Sequence, residues 1–151
     1  MRKRSTVTKD RICQWFATCS YVGYLPFAPG TWASAFACVI LYFLPSAGNP
    51  AVIVLLAALA IPAVERARGD KSDPGHIVID ELLGMLVAAA GHNASVWNLS
   101  RAFILFRAFD ILKPYPIRKV ERLRGAYGII ADDLLAGAYA NVALILWGRL
   151  A

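Results

Sequence analysis

Charged side chains are scarce in this chain of 151 residues. Asp, Glu, Lys and Arg make up 17% of it, whereas soluble domains carry about 25%. The apolar residues AVILMFWYC reach 58%, and the mean hydropathy is +0.53. This composition argues against an ordinary soluble domain and indicates a membrane environment. The length gives room for one domain over residues 1–151, which opens with a basic segment at 1–20.

The chain also lacks an uninterrupted apolar run of about 18 residues, the length of a standard spanning helix. It has shorter apolar segments, whose small and apolar residues on all sides predict helices rather than alternating strands. We therefore expect an all-α fold, a compact bundle of short apolar helices and hairpins that is embedded in or inserted into a membrane. The segments are Ala33–Leu44, Ala51–Val64, Leu82–Ala90, Trp97–Phe109 and Leu134–Trp147.

Cysteine and histidine are rare, and this excludes several chemistries. Cys13, Cys19 and Cys38 are odd in number, and their spacing fits neither a redox CxxC motif nor a zinc knuckle. No Cys-x5-Arg motif of the cysteine phosphatases is present. His76 and His92 lie too far apart in the sequence to suggest a zinc site. The pattern argues against a disulfide framework and favours a reducing, cytoplasmic environment.

The net charge of +6 is distributed unevenly. No nucleic-acid-binding motif accompanies it, so we expect an anionic membrane surface and an anionic substrate as partners rather than nucleic acid. The loops "SAGNP" and "GHNAS" contain no Lys or Arg. By the positive-inside rule the three basic clusters belong on the cytoplasmic side, with apolar hairpins between them. The clusters span residues 2–11, 66–71 and 113–124.

Six of the ten acidic residues lie beside or within the apolar segments. Ionised carboxylates in such places are costly unless they are paired or bind a metal, and carboxylate ligands select hard cations, here Mg²⁺ with Mn²⁺ as the other candidate. In "IDELLGML" and "ADDLLAGAY" an acid pair precedes Leu-Leu and a glycine. We expect each pair to open a helix, where the helix dipole favours negative charge, and Gly84 to allow close approach of a helix or ligand. The six acids are Asp73, Asp80, Glu81, Asp110, Asp132 and Asp133.

The segment "FRAFDILKPYP" combines acid and base on one helical stripe. Arg107, Asp110 and Lys113 are spaced three residues apart, and Pro114 and Pro116 end the helix. A self-neutralising surface ion pair would give the same pattern. Because the helix is otherwise apolar, we favour a functional site in which the two cations bind phosphate and the acid binds metal.

The segment "GYLPFAPGTWAS" is a loop that leads into a helix. It does not fit a Walker A motif, since no Lys follows Gly30. We expect Pro29-Gly30 to form a turn and Thr31 to be the N-cap of the next helix. The free N–H groups at such a helix start can also bind an anion, so helix capping and phosphate binding both remain open.

These four segments, "GYLPFAPGTWAS", "KSDPGHIVIDELLG", "FRAFDILKPYPI" and "GIIADDLLAG", resemble in order the motifs of the phosphatidylglycerophosphatase A family. The resemblance covers Gly23 to Gly137. It implies a bacterial, Mg²⁺-dependent membrane phosphatase that converts phosphatidylglycerophosphate to phosphatidylglycerol in phospholipid biosynthesis. It further implies a site that faces the cytoplasm at the inner membrane.

Together, the residues and the resemblance give each candidate a role. We expect Arg107 and Lys113 to stabilise charge on the phosphoryl group and Asp73 or Glu81 to act as general base. Water and an aspartate are both compatible as the nucleophile. Two further hypotheses are a small membrane transporter with an acidic cation site and a non-catalytic protein that binds lipid head groups. The predicted metal ligands are Asp80, Glu81, Asp110, Asp132 and Asp133, and the predicted phosphate-binding residues are Pro29, Gly30, Thr31, Ser34 and Lys71.

Overall fold

The computed structural model describes residues 2–69 and 74–150, with side chains at 10–69 and 74–149. All regular structure in these residues is helical, which confirms the predicted all-α fold. Two short 3₁₀ turns, at Val22–Tyr24 and Pro45–Gly48, separate longer helices. The α-helices are α1 (Arg2–Ala17), α2 (Pro29–Phe43), α3 (Pro50–Arg68), α4 (Ile79–Ala89), α5 (Val96–Leu112), α6 (Ile117–Val120) and α7 (Ala126–Leu150).

Helix α4 is the centre of the bundle. Nine of its eleven residues are buried, because it packs most extensively against α7 and also contacts α2, α3 and α5. Its sequence "IDELLGMLVAA" is apolar on nearly every side, as expected for a helix surrounded by others. The two acids at its start, Asp80 and Glu81, are therefore held at one end of the core.

The backbones of α4 and α7 touch at two glycines. A Cβ atom on Gly137 would lie 2.2 Å from the carbonyl oxygen of Gly84, and a Cβ atom on Gly84 would lie 2.7 Å from the carbonyl oxygen of Asp133. The predicted close approach at Gly84 is confirmed, and the element that approaches is α7. Small residues permit this contact, which brings the acids of α4 and α7 together.

Asn141 on α7 reinforces the same contact. Its side-chain Nδ2 donates hydrogen bonds to the carbonyl oxygens of Val87, Ala88 and Ala90, at 3.0, 3.1 and 2.7 Å. The last carbonyl groups of a helix have no partner within the helix. One amide of α7 therefore satisfies the end of α4. The three cysteines are free, as predicted.

Helices α3 and α7 are longer than the short apolar segments that the sequence predicts. Both extend through polar residues at one end: α3 continues to Arg68, and α7 already begins at Ala126. Both are long and apolar enough to cross a membrane. An apolar run underestimates such helices, because helix geometry continues through charged turns at the ends.

Apolar side chains of α3 face outward. Only 22% of its apolar window is buried inside the fold, and Val54 and Leu55 are 69% and 60% exposed. The core helix of a soluble protein is mostly buried, whereas contiguous exposed apolar surface marks contact with a membrane or a partner. The composition and this surface together indicate membrane association.

Candidate active site

A cavity of about 700 Å³ lies where the start of α4 meets the end of α5 and the beginning of α7. Charged residues dominate its wall. All five predicted metal ligands line it, and so does Lys113. The structure thus brings together acids that are up to 53 positions apart in the sequence, from position 80 to position 133. The lining carboxylates are Asp80, Glu81, Asp110, Glu121, Asp132 and Asp133.

Three of these carboxylates form a compact cluster. Oxygen atoms of Asp80, Glu81 and Asp133 all lie within 4.8 Å of one another. Asp80 and Glu81 are in the first turn of α4, as predicted, where the helix dipole partly offsets their charge. Asp80 and Asp133 are only 8% and 4% exposed. These three side chains could hold a metal ion.

Within residues 10–69 and 74–149, no cationic side chain forms an ion pair with Asp80, Glu81 or Asp133. Burial, followed by the charges of Glu81 and Asp133, raises the pKa of Asp80 well above its usual value. Burial is also the main cause that raises the pKa of Glu81. Asp80 Oδ1 and Glu81 Oε2 are buried and have no hydrogen-bond partner among the described residues. Buried polar atoms are normally satisfied, so these two oxygens are available to a ligand.

Asp132 and Asp133 reach the cavity in a different way from that predicted. They do not open a helix: α7 begins at Ala126, whose backbone N–H donates a 3.0 Å hydrogen bond to Glu65 Oε2 of α3. Successive helical residues point about 100° apart. Asp133 therefore joins the cluster on α4, while Asp132 Oδ2 accepts a 2.8 Å hydrogen bond from Lys113 Nζ.

The predicted stripe on α5 splits at the end of the helix. Arg107 Nη1 and Asp110 Oδ2 form an ion pair at 2.6 Å. Lys113 has left-handed backbone geometry, with φ of 43°, and turns away towards Glu121 Oε1 at 2.7 Å and Asp132. Burial lowers the pKa of Lys113, but its hydrogen bonds to the two carboxylates outweigh this effect and the net shift is upward. Its ammonium group therefore stays charged.

Helix α2 begins two residues before the predicted N-cap. Its first residue is Pro29, and Ala28 precedes it with φ of 49°. Thr31 is consequently inside the first turn, where its N–H donates to Ala28 O at 2.9 Å. The prediction that Thr31 is the N-cap was wrong, because the fixed φ of a proline suits the first helical position.

The start of α2 lies directly against the carboxylate cluster. A Cβ atom on Gly30 would be 2.0 Å from Glu81 Oε1, so any side chain at position 30 would have to displace this carboxylate. Ser34 is fully buried, and its hydroxyl donates a 2.8 Å hydrogen bond to Gly30 O. The start of α2 thus contacts the cluster through Glu81, although residues 29–34 are not among those that line the cavity. Phosphate binding by Pro29, Gly30, Thr31 and Ser34 stays a prediction.

We expect Gly30→Ala to reduce activity by about 100-fold. The added methyl group has to displace Glu81 by more than 1 Å, and a misplacement of about that size costs about 10²-fold in catalysis. Steady-state release of phosphate from phosphatidylglycerophosphate, the substrate that the resemblance implies, checks this prediction. Gly75→Ala is the matched control, because a Cβ atom there meets no described residue within 4 Å. Equal activity of the two variants would contradict the close contact between Gly30 and Glu81.

Two of the predicted site residues are not described by the structure, and three cavity residues were not predicted. Asp73 and Lys71 lie outside the described residues, so their roles stay predictions. Three charged residues that line the cavity were not predicted from the sequence. They lie within the basic clusters at 66–71 and 113–124. The charge pattern locates these clusters but does not show which of their residues face the cavity. They are Arg68, Glu121 and Arg124.

Curated proteins similar to this chain carry the names of phosphatases. A Haemophilus influenzae protein named phosphatidylglycerophosphatase A is 36% identical over 123 residues, or 76% of each chain. An Escherichia coli protein of the same name is 33% identical over 134 residues, or 84% of this chain and 78% of that one. A Bacteroides thetaiotaomicron protein, provisionally named phosphatidylinositol-3-phosphatase, is 37% identical over 132 residues, or 80% of this chain and 83% of that one. No solved structure matches the chain.

The cavity in this bundle of apolar helices combines buried carboxylates with Lys113, and the relatives are named as phosphatases. The protein is therefore an enzyme of the phosphatase class. The family model of phosphatidylglycerophosphatase A matches residues 15–147, and the chain belongs to that family. The resemblance based on four motifs is thereby confirmed. The enzyme hypothesis is favoured over the transporter and the head-group-binding protein.

Proposed function

We propose that the protein hydrolyses the phosphomonoester of phosphatidylglycerophosphate, giving phosphatidylglycerol and phosphate, with Mg²⁺ as cofactor. The observation that carries this proposal is the cluster of Asp80, Glu81 and Asp133, whose oxygens lie within 4.8 Å at a cavity that also contains Lys113. Family membership and the names of two relatives support the substrate. The role would be in phospholipid biosynthesis.

The name of the third relative supplies a second candidate substrate, a phosphatidylinositol phosphorylated at position 3. Both lipids carry a phosphomonoester on a polyol, and a phosphodiester joins that polyol to diacylglycerol. The chemistry required of the site is the same. We favour phosphatidylglycerophosphate because the family model matches nearly the whole chain.

The residues present fit Mg²⁺. The donors are all carboxylates, which favours a hard cation such as Mg²⁺, with Mn²⁺ as the alternative. Of the residues that the structure describes, six carboxylates but three cationic side chains line the cavity. In the same part of the chain, Asp80 and Glu81 each present a buried oxygen without a partner. We propose that these two and Asp133 hold the ion. Asp110 and Asp132 stay predicted ligands, each with one oxygen in an ion pair.

The bound ion would neutralise phosphate charge and lower the pKa of the attacking water. Lys113 is held between Asp132 and Glu121, so its ammonium group is positioned to stabilise charge on the phosphoryl oxygens. Arg107 is paired with Asp110 but is not among the residues that line the cavity, so its role on the phosphoryl oxygens stays a prediction from the sequence. Of the two predicted general bases, Glu81 has a buried free oxygen at the cavity, while Asp73 remains a prediction from the sequence.

The proposed location is the cytoplasmic face of the bacterial inner membrane. The cavity is lined by Arg68 at the end of α3 and by Gly125 and Gly128 at the start of α7. The end of α3 and the start of α7 thus lie at the same cavity, and both helices are long enough to span a membrane. The basic residues of this end would face the cytoplasm by the positive-inside rule.

Phosphate release from phosphatidylglycerophosphate in mixed micelles tests the proposal. We expect removal of divalent ions with EDTA to reduce the rate by at least about 100-fold, with full recovery when excess Mg²⁺ is added. Activity that is insensitive to EDTA would contradict the role of the metal. Faster release from phosphatidylinositol 3-phosphate than from phosphatidylglycerophosphate would assign the second substrate instead.

A further inference from the structure

We propose that Arg124, with Arg68 beside it, forms a second anion subsite in the cavity, which binds the phosphodiester of the lipid substrate. This inference rests on the proposed function, since it concerns the part of the same substrate that is not hydrolysed. Arg124 would then be a specificity-determining residue. It would recognise a head group attached through a phosphodiester, and it would take no part in breaking the phosphomonoester.

The first observation is the position of Arg124. It lines the cavity and is exposed. Within the part of the chain that the structure describes, it has no ion-pair or hydrogen-bond partner, although six carboxylates line the same cavity. By contrast, Lys113 binds two of these carboxylates. Among the described residues, none competes with an incoming anion for the guanidinium group of Arg124.

The second observation is that Arg68 lines the same cavity. Arg68 Nε donates a 2.9 Å hydrogen bond to Glu65 Oε2, Arg68 Nη2 pairs with Glu65 Oε1, and Glu65 Oε2 also accepts from the N–H of Ala126 at 3.0 Å. Arg68 Nη2 lies 3.4 Å from the position of a Cβ atom on Gly125, the residue after Arg124. Glu65 thus anchors Arg68 at the start of α7. Arg68 has a supporting role in the subsite: it adds positive charge to this part of the cavity, while Arg124 supplies the hydrogen bonds to the phosphodiester.

The third observation is the distance from the carboxylate cluster. Asp132 and Asp133 follow Ala126 by six and seven residues, which is about 9–10 Å along a helix axis. A three-carbon glycerol unit separates the two phosphates of phosphatidylglycerophosphate, and arginine side chains are long enough to cover the remaining distance. With the phosphomonoester at the acid cluster, we place the phosphodiester at the arginines, which line the same cavity. Without them, the surplus of carboxylates would repel it.

Steady-state kinetics of Arg124→Ala test the proposal in the full-length, Mg²⁺-loaded enzyme. We expect KM for phosphatidylglycerophosphate to rise about tenfold while kcat changes less than about twofold, as for the loss of one charge-assisted hydrogen bond that is equally strong in ground and transition states. Phosphatidylglycerol, which contains the phosphodiester alone, should inhibit about tenfold more weakly. Inhibition by inorganic phosphate should be unchanged. Arg124→Lys should show a smaller rise in KM.

Arg122→Ala is the matched control. Arg122 is an exposed arginine of the same segment, but it does not line the cavity, and we expect its kinetics to resemble those of the unmodified enzyme. An equal rise in KM in both variants would overturn the proposal, because it would indicate a general effect of surface charge. A loss confined to kcat, or weaker inhibition by inorganic phosphate, would also overturn it. If the unmodified enzyme releases no phosphate from phosphatidylglycerophosphate, the proposed function is wrong. If the unmodified enzyme is active but Arg124→Ala has the same kcat and KM, only the inference about Arg124 is wrong.

Discussion

Asp80→Asn is expected to reduce phosphate release by at least about 1000-fold and, in the absence of metal, to make the protein more stable. The loss of activity corresponds to about 4 kcal/mol of transition-state stabilisation. It follows from removing one of three carboxylates whose oxygens lie within 4.8 Å of one another. The remaining two would hold Mg²⁺ too weakly to support catalysis at ordinary concentrations of the ion.

The increase in stability has a separate physical cause. Asp80 is buried beside Glu81 and Asp133, and burial together with these charges raises its pKa. Such a carboxylate destabilises the metal-free fold whether it is ionised or takes up a proton. Asn has nearly the same shape without the charge, and its amide can donate a hydrogen bond to a neighbouring carboxylate. We expect a gain of about 1 kcal/mol in the free energy of unfolding.

Thermal unfolding with and without Mg²⁺ separates the two effects. The unmodified protein should gain stability as Mg²⁺ is added, because the ion binds the folded state, whereas Asp80→Asn should gain little. Asp10→Asn serves as the control, since Asp10 is an exposed residue of α1 and does not line the cavity. Metal-free Asp80→Asn that is less stable than the unmodified protein would contradict the crowding of charge at this site.

The sequence predicts which acids form the site better than it predicts how they reach it. Asp80 and Glu81 open a helix as expected, because the preceding Pro74-Gly75 interrupts the chain. The corresponding prediction for Asp132 and Asp133 fails. An apolar segment that is taken to begin at Leu134 gives no sign that α7 already begins at Ala126. That beginning depends on Glu65, a residue of another helix 61 positions away.

Contacts between distant segments account for the other differences. Local rules suggest Thr31 as an N-cap, but the proline at position 29 can itself be the first helical residue. The contact of Gly30 with Glu81 joins two motifs that the sequence presents separately. In the same way, charge patterning identifies the basic cluster at 113–124 but does not distinguish Arg124, which lines the cavity, from Arg122, which does not.

Gly137→Ala is expected to destabilise the fold by about 3 kcal/mol and to reduce activity by at least about 100-fold. The added Cβ atom would lie 2.2 Å from the carbonyl oxygen of Gly84. This neighbour is backbone of the central helix, so it cannot rotate away, and α4 and α7 must separate by about 1 Å. Overpacking of this kind typically costs about 1–3 kcal/mol. Separation also moves Asp133 relative to Asp80, which accounts for the loss of activity.

Gly148→Ala provides the control within the same helix. A Cβ atom at position 148 meets nothing within 4 Å, and alanine is favoured over glycine in a helix by up to about 1 kcal/mol. We therefore expect this variant to be equally or more stable, with full activity. Chemical denaturation and phosphate release, measured on both variants, test the prediction. A Gly137→Ala variant as stable as Gly148→Ala would show that α4 and α7 are not in backbone contact.

The predictions for Asp80→Asn and Gly137→Ala separate the effect of the acid cluster on activity from the effect of helix packing. Asp80→Asn should lose activity while the metal-free fold becomes more stable, because the acid cluster is assembled against its own electrostatic repulsion. Gly137→Ala should lose activity and stability together, because the contact between Gly84 and Gly137 supports both the core and the position of Asp133. Suppose that both variants lose most of their activity, while Asp80→Asn becomes more stable and Gly137→Ala less stable. This result would indicate that the packing of α4 against α7 holds the carboxylates together against their repulsion. The same stability change in both variants would contradict that account.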